Sequence, residues 1–206
     1  MDTKTAYLVF SEKLKHKEYV VLKGETLKIV FFATSAVHCA FDLDIRLTGK
    51  DSTAEVTGLV IPKPHTDIVL HTHQIHEHPH TKSTLLVKSV IPDRSMVTYE
   101  GTIRIEKGAF RSDAYQKNET MLLGDTAQIH TSPILEILNH DVKCTHGATS
   151  KPIPEEELLY LQSRGISRSQ AHRMIVKGFI DDIVSQFPDL KMKKSMYNDI
   201  HLVHLI

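Results

Sequence analysis

A thiol, an imidazole and a carboxylate lie within six residues of one another near the middle of the second half of the chain. Cys144 and His146 are two residues apart, and Asp141 precedes them. Alternate side chains of an extended strand point to the same face, so the thiol and the imidazole share a face. Such a pair could bind iron or zinc, but two protein ligands alone could not hold the ion tightly. The sequence therefore predicts either a site that a partner chain completes or a purely structural pair.

Histidines are concentrated between residues 71 and 80, where five of the ten residues are histidine. They are His71, His73, His76, His78 and His80. A tract of this composition can bind nickel, zinc or copper, although a solvated loop that binds metal only adventitiously is the simpler interpretation. If the tract supplied ligands to a barrel of paired strands, the chain would be a metal-dependent enzyme of the cupin-like class.

Glu136 is a further candidate ligand for a bound group. It lies in a strand-like segment near His130 and His140, and the three side chains could face the same space. Surface hydrogen bonding explains these residues equally well. The second cysteine, Cys39, lies in an apolar setting, which favours burial as a small hydrophobic residue.

The composition limits the classes of function. The chain has 206 residues with 25 basic and 25 acidic side chains, so it lacks the basic excess that is usual in nucleic-acid-binding proteins. Two cysteines cannot build a disulfide framework, which favours a reducing cytoplasm. The sequence has no apolar run of the length that a signal peptide or a transmembrane helix needs. We expect a soluble cytoplasmic protein of one domain, or of one domain with an appendage, that binds neither nucleic acid nor membrane.

Alternation of apolar and polar residues predicts short β-strands over roughly the first 146 residues. Residues 41–48 and 97–106 alternate without a break, and residues 27–31 and 56–61 continue the pattern. New strands begin about every 10 to 14 residues, a spacing typical of sandwiches, barrels and β-solenoids. The dipeptides that mark tight hairpins are absent, which favours coils with open corners over a meander of hairpins.

Helical signals replace the strand pattern after residue 149. Residues 151–154 break the strand, and the acidic residues 155–157 fit the first turn of a helix, which should end at Gly165. The chain therefore divides into a β-core over residues 1–150 and a helical domain over residues 151–206.

A second helix should follow directly. Ser167 and Gln170 form the pattern of a capping box, and Pro188 should end the helix. The tail from residue 191 to 206 fits either a loose helix or one more strand.

The apolar side of the second helix is wider than one packing surface requires. One apolar stripe must cover the first helix and the β-core. The surplus residues Val176, Ile180 and Val184 predict a surface for a partner helix or groove.

The segment from about residue 76 to residue 184 resembles the core of the SufB/SufD family, whose members build iron–sulfur clusters together with the ATPase SufC. The matching motifs occur in the family's order, at residues 76–83 (HEHPHTKS), 99–109, 112–116, 122–124, 134–137, 141–149, 156–167 and 177–179. About half of the chain is covered, and the first 75 residues match less clearly.

The resemblance implies a right-handed parallel β-helix followed by a small C-terminal helical domain that docks the ATPase. It also implies a non-enzymatic scaffold or accessory subunit that handles iron or a transient iron–sulfur cluster, without a tightly bound organic cofactor. A homodimer through the β-helix, a SufC-like ATPase and a cysteine desulfurase system are the implied partners. The ATPase must be a separate chain, because this sequence has no Walker A motif.

The motif at residues 144–149 is similar to the Cys-x-His-Gly-Ala-Thr of SufD-type subunits, whose matching histidine serves iron delivery and cluster assembly. By this resemblance Cys144 and His146 are expected to bind the cluster, and His76, at a family motif position, is expected to bind metal. The resemblance also points to seven helical residues as contacts for the ATPase. They are Tyr160, Arg164, Gly165, Val176, Gly178, Phe179 and Ile180.

Two positions depart from the cluster-building SufB-type subunit. That subunit has a cysteine where this chain has Asn118 and a glutamate where this chain has Gly147. The resemblance therefore does not imply that one copy of this chain builds a cluster alone, whereas a homodimer could replace both subunit types.

Overall fold

The computed structural model describes residues 3–202, which form eleven β-strands followed by three helices. The strands are β1 (Thr3–Phe10), β2 (His16–Val21), β3 (Thr26–Ala33), β4 (Cys39–Leu47), β5 (Thr53–Val60), β6 (Asp67–His76), β7 (Lys82–Ile91), β8 (Met96–Ile105), β9 (Asp113–Leu122), β10 (Gln128–Ile137) and β11 (Lys143–Pro152). The helices are α1 (Glu155–Ser163), α2 (Arg168–Val184) and α3 (Leu190–Leu202). The last strand ends at Pro152, and the first helix begins at Glu155. The tail is helical up to residue 202, and the last four residues of the chain lie outside the described part.

The strands form two parallel sheets, and the chain alternates between them. The odd-numbered strands form a six-stranded sheet, the odd sheet, in the order β1-β3-β5-β7-β9-β11. The even-numbered strands form a five-stranded sheet, the even sheet, in the order β10-β8-β6-β4-β2. Each strand therefore pairs with the strand two places away along the chain. The result is a parallel β-solenoid of about five turns, so the predicted fold class is confirmed.

The solenoid interior is a stack of side chains in register. In β4 alternate residues are buried, and pairing with β6 places Phe41 beside Leu70. The rings of Phe10 and Phe31, and of Phe10 and Phe41, have centroids 5.7 Å apart. Gly58 makes room for this stack, because a Cβ there would lie 2.0 Å from the Phe31 ring. Burial of these apolar side chains stabilises each coil against its neighbours.

A recurring corner turns the chain from one strand into the next. At five corners a residue other than glycine has a positive φ between 54° and 62°, and a buried serine or threonine follows it. The pairs are Asp51 with Ser52, His65 with Thr66, His80 with Thr81, Arg94 with Ser95, and Arg111 with Ser112. The hydroxyl groups bind neighbouring corner atoms, which satisfies polar groups that the turn would otherwise leave buried and unpaired. This repeat is not evident in the sequence, because only the hydroxyl residue is similar from corner to corner.

The helices pack on the outer side of the odd sheet. The predicted capping box of α2 is confirmed, with Ser167 accepting from the Gln170 amide and the Gln170 side chain accepting from the Ser167 amide. Val90 and Met121 of the sheet belong to one apolar cluster with Ile180 of α2. The helices therefore share a core with the solenoid. Among the helices of the described residues, none combines the length and hydropathy needed to cross a membrane.

Candidate functional site

Cys144 and His146 lie on β11, the last strand of the odd sheet. Strand pairing aligns Cys144 with Ala114 and His146 with Gln116 of β9. Ala114 and Gln116 are buried inside the solenoid, so the side chains aligned with them also face inwards. The thiol and the imidazole therefore share one face of the strand, as their two-residue spacing predicts.

The final coil, formed by β10 and β11, is open to solvent. The two strands are the last members of their sheets in the described part of the chain, and neither contains a buried residue. Below them Ile103, Ile105 and Ala114 form a buried apolar layer, against which Cys144 packs. The candidate site thus lies at the open end of the solenoid, where a second molecule can reach it.

Cys144 is half-buried, whereas His146 is exposed. Burial raises the pKa of the Cys144 thiol, because the thiolate loses solvation in the apolar layer. The thiol is therefore protonated near neutral pH and needs a bound cation to become a good ligand. In this environment the Cys144 thiol loses its proton when a metal ion binds, and it is weakly reactive when no metal is bound.

Glu136 does not belong to this site. It aligns with Arg104 of β8, whose Nη1 donates to the Glu136 carboxylate at 3.3 Å on the outer surface of the even sheet. Cys144 and His146 face the interior, on the other side of the sheet wall. The prediction that Glu136 binds the same group is wrong, because its position along β10 turns the side chain outwards.

His76 is the last residue of β6 and lies buried beside the corner that follows. Its Nδ1 is 2.7 Å from the Thr81 hydroxyl oxygen, and its Nε2 is 2.8 Å from the Ser83 hydroxyl oxygen. The Thr81 hydroxyl also lies 2.7 Å from that of Ser112 in the next coil. The motif at residues 76–83 therefore has a structural explanation as a hydrogen-bonded corner.

His76 lies at a distance from the candidate site. Ser83 aligns with Ala114, which aligns with Cys144, so two strand spacings, about 10 Å, lie between the His76 partner and the thiol. Both ring nitrogens of His76 already have partners. The geometry therefore argues against the predicted metal-binding role of His76. Burial lowers the pKa of His76 to about 4, so its ring is neutral at physiological pH.

The other histidines of the tract point to different places. His71 and His73 lie on the outer side of β6, where their Nδ1 atoms are 2.8 Å from Asp42 and 2.5 Å from Asp44. His80 has a positive φ and forms part of a corner. Within residues 3–198 no three side chains of the metal-binding types are placed to hold an ion together. The tract is not one ligand set, and the parallel solenoid is not the paired-strand barrel of the cupin-like alternative.

Polar side chains inside the later coils were not predicted. Thr72 and Tyr99 have hydroxyl oxygens 3.0 Å apart, and Gln74 Nε2 donates to Gln116 Oε1 at 3.3 Å. Gln116 also donates to the carbonyl of Gly101, where a Cβ would lie 2.1 Å from its Nε2. The glycine in the motif at residue 101 therefore makes room for a buried glutamine. The signal in the sequence was glutamine and threonine at positions where the alternation demands apolar residues.

The two departures from the SufB-type pattern lie on opposite sides of the odd sheet. Asn118 is buried and accepts a hydrogen bond from Thr120 at 3.1 Å, while its Nδ2 has no partner within the described residues. Gly147 aligns with Lys117, on the outer side. Gly147 therefore adds no ligand to Cys144 and His146, whereas Asn118 faces the same interior one strand away.

The first two helices carry exposed apolar side chains. Leu159 and Tyr160 of α1 are 62% and 60% exposed, and Met174 of α2 is 51% exposed. The Arg164 guanidinium packs on the Tyr160 ring, 5.4 Å from its centroid. Two shallow grooves of about 330 Å³ and 310 Å³ share Glu157 and join the Tyr160 side to the Met174 side. We call this surface the α1–α2 face; it comprises Tyr160, Arg164, Met174 and Gly178.

Three residues predicted to contact a partner are fully buried. Val176, Ile180 and Val184 belong to the apolar cluster between α2 and the odd sheet and have no exposed surface. The expectation that they form a surplus apolar surface is wrong, because α2 covers the sheet and α1 at once. Phe179 is half-buried, whereas Gly165 is exposed at a φ of 82° after α1.

Comparison with known proteins identifies the chain's relatives. The family model described as "SUF system FeS cluster assembly, SufBD core domain" matches residues 11–179. The chain is 27% identical to the iron–sulfur cluster assembly protein SufD of Escherichia coli K12, over 90% of this chain and 44% of that protein. It is 28% identical to the chloroplastic protein ABCI7 of Arabidopsis thaliana over 77% of this chain and 34% of that protein. It is 29% identical to the SufBD family protein slr0076 of Synechocystis over 65% of this chain and 28% of that protein. The chain therefore spans less than half the length of these relatives.

The buried corner at His76 predicts a pH-dependent stability. The pKa of His76 is lowered in the folded state. Below about pH 6.5 the unfolded chain therefore binds a proton at His76 that the folded chain does not bind. Stability from this group is present above that pH and is lost as the pH falls toward 4. A His76→Gln variant should lose about 2–4 kcal/mol of unfolding free energy at pH 7.5. That difference should shrink by on the order of 2 kcal/mol at pH 5 in urea titrations.

The matched control for this prediction is His130→Gln on the exposed outer side of β10. It should change the unfolding free energy by less than about 0.5 kcal/mol at either pH. A His76→Gln difference that stays constant from pH 7.5 to pH 5 would contradict the buried neutral imidazole.

Proposed function

The chain belongs to the SufBD core family of the SUF iron–sulfur cluster assembly system, and we propose that it is a scaffold or accessory subunit that binds iron and sulfide between two copies of itself. The proposal rests on the inward-facing pair Cys144 and His146, which lies in a coil that no other described residue covers. Iron and sulfide are cargo in this proposal, and no tightly bound organic cofactor is required. We expect the protein to act in the cytoplasm.

A second copy would complete the ligand set. One chain offers a thiol and an imidazole, and a tetrahedral iron site uses four ligands of these types. A two-fold axis across the open end would bring two such pairs together, because an isologous interface repeats every contact.

The open end also has the surface that a dimer would bury. The outer edge of β11 carries ten residues of backbone, and an unpaired strand edge is a ready template for another strand. At the same end Ile137, the last residue of β10 on its inward face, and Leu138, which follows it, are 42% and 46% exposed. Pairing of two copies at the open end would satisfy the backbone groups of β11 and remove these two side chains from water.

The thiol would act as the acceptor of sulfur and as the ligand of iron. Binding of a ferrous ion offsets the raised pKa of Cys144, since the cation stabilises the thiolate and a proton is released. Sulfur would arrive from a cysteine desulfurase system as a persulfide. The Cys144 thiolate attacks the outer sulfur, a new S–S bond forms, and the donor cysteine leaves as a thiolate.

The proposed partner of the helices is a SufC-like ATPase. The α1–α2 face has an aromatic ring, a methionine and an arginine above two shallow grooves, which is the composition typical of the centre of an interface. Two ATPase subunits that close on ATP would move the helices of two scaffold chains. ATP affinity and the rearrangement of the open end would then be coupled reciprocally.

Loss of either donor should abolish iron–sulfur binding. After anaerobic reconstitution with ferrous iron and sulfide, Cys144→Ala and His146→Ala should hold about ten-fold less iron than the wild type and lose its visible absorption. Cys39→Ala is the matched control, since Cys39 is buried at the start of β4 in another coil. Equal iron and sulfide content in wild type and Cys144→Ala would remove the basis of the proposed site.

Charge on the α1–α2 face should disrupt binding of the ATPase. Met174→Asp and Tyr160→Asp should weaken co-purification with a SufC-like ATPase, with a Kd about ten- to hundred-fold higher in calorimetry. Leu190→Asp is the control, because Leu190 is 71% exposed at the start of α3, outside this face. Equal weakening by all three substitutions, or by none, would argue against docking at the α1–α2 face.

A further inference from the structure

Lys88 joins the helices to the solenoid by directed bonds. It lies on the outer side of β7, and its side chain is only 10% exposed. Its Nζ donates to the Phe179 carbonyl oxygen at 2.7 Å and to the two carboxylate oxygens of Asp182 at 2.9 Å and 2.8 Å. The ammonium group also lies 4.9 Å from the centroid of the Phe179 ring. Three charge-assisted bonds to one turn of α2 fix the position of that turn on the sheet.

Beyond the end of α2 the Thr57 hydroxyl of β5 donates to Gln186 Oε1 at 3.2 Å, and the contacts of α2 itself are mainly apolar. Val176, Ile180 and Val184 pack in an apolar cluster with Val90 and Met121. Apolar contacts are not directional, so they hold the helix against the sheet without specifying a single axial position. The Lys88 side chain is almost buried, whereas that of Asp182 is 53% exposed, so their ion pair adds little net stability. Its directed bonds favour one arrangement of the helix turn over neighbouring ones. Lys88 therefore sets the position of α2, and the apolar cluster holds it in place.

Lys88 also contacts the strand that supports the candidate site. It aligns with Glu119 of β9, whose carboxylate lies 3.8 Å from Nζ, and Glu119 aligns with Thr149 of β11. Cys144 lies five residues before Thr149 on the same strand, about 17 Å away. A continuous series of hydrogen-bonded strands thus runs from the α2 contact to the thiol.

We propose that Lys88 is the positioning residue that transmits a displacement of α2 to β9 and β11, and through them to Cys144 and His146. The inference rests on the proposed function, in which the ATPase moves the α1–α2 face. Without the Lys88 bonds the apolar cluster lets α2 shift over the sheet, and the movement no longer reaches the open end.

The test is ATP-dependent hydrogen–deuterium exchange of β11 in the complex of the full chain with a SufC-like ATPase. In the wild-type complex ATP changes the exchange of residues 143–152. In Lys88→Met that change falls about five-fold or more. The affinity for the ATPase stays within about two-fold, and the urea midpoint of the free chain stays within about 0.5 M, because methionine fills the same space. Lys88→Arg restores most of the ATP response, since it keeps the charge and the donors.

Two further variants make the outcome decisive. Lys82→Met, at an exposed lysine of the same strand, should leave the ATP response unchanged. Asp182→Asn removes the charge of the acceptor and should reduce the response as Lys88→Met does, and it replaces that variant if Lys88→Met does not fold. A full ATP response in Lys88→Met or in Asp182→Asn overturns the inference and leaves the proposed function standing. A wild-type complex without any ATP response overturns the proposed function and the inference with it.

Discussion

Parallel pairing in register is the constraint on which every other feature of this molecule depends. Each strand outside the first and last coils obtains its backbone hydrogen bonds and its apolar contacts from the coils on either side. A solenoid built in this way cannot close on itself, so its last coil has one unsatisfied face. In this chain that coil carries Cys144 and His146 above an apolar layer. The open end is thus a direct consequence of the fold, and the two candidate ligands lie there.

The helices and the open end lie on different parts of the solenoid, so a relation between them requires a rigid element. The odd sheet supplies it, since α2 packs on its outer side and Cys144 lies on its last strand. The apolar cluster holds α2 against the sheet, and Lys88 fixes the position of α2 on it. Because different residues provide the stability of this contact and its position, a substitution can change the position while the stability is kept.

Features that depend on local periodicity could be predicted from the sequence. Features that depend on the register of distant strands could not. The shared face of Cys144 and His146 follows from their spacing alone, and so does the capping box at Ser167. Glu136 was misplaced because the direction of its side chain depends on how β10 pairs with β8. Val176 was misplaced because the number of surfaces that α2 covers is a property of the tertiary structure, which helical periodicity does not contain.

The central claim is that one chain has too few ligands to bind iron tightly, whereas two chains together have enough. Sedimentation velocity of the anaerobically reconstituted protein, recorded at the visible absorption of the iron–sulfur chromophore, tests this directly. The account predicts that all of the visible absorption sediments as a dimer and that colourless protein includes the monomer. Visible absorption that sediments with the monomer would contradict it.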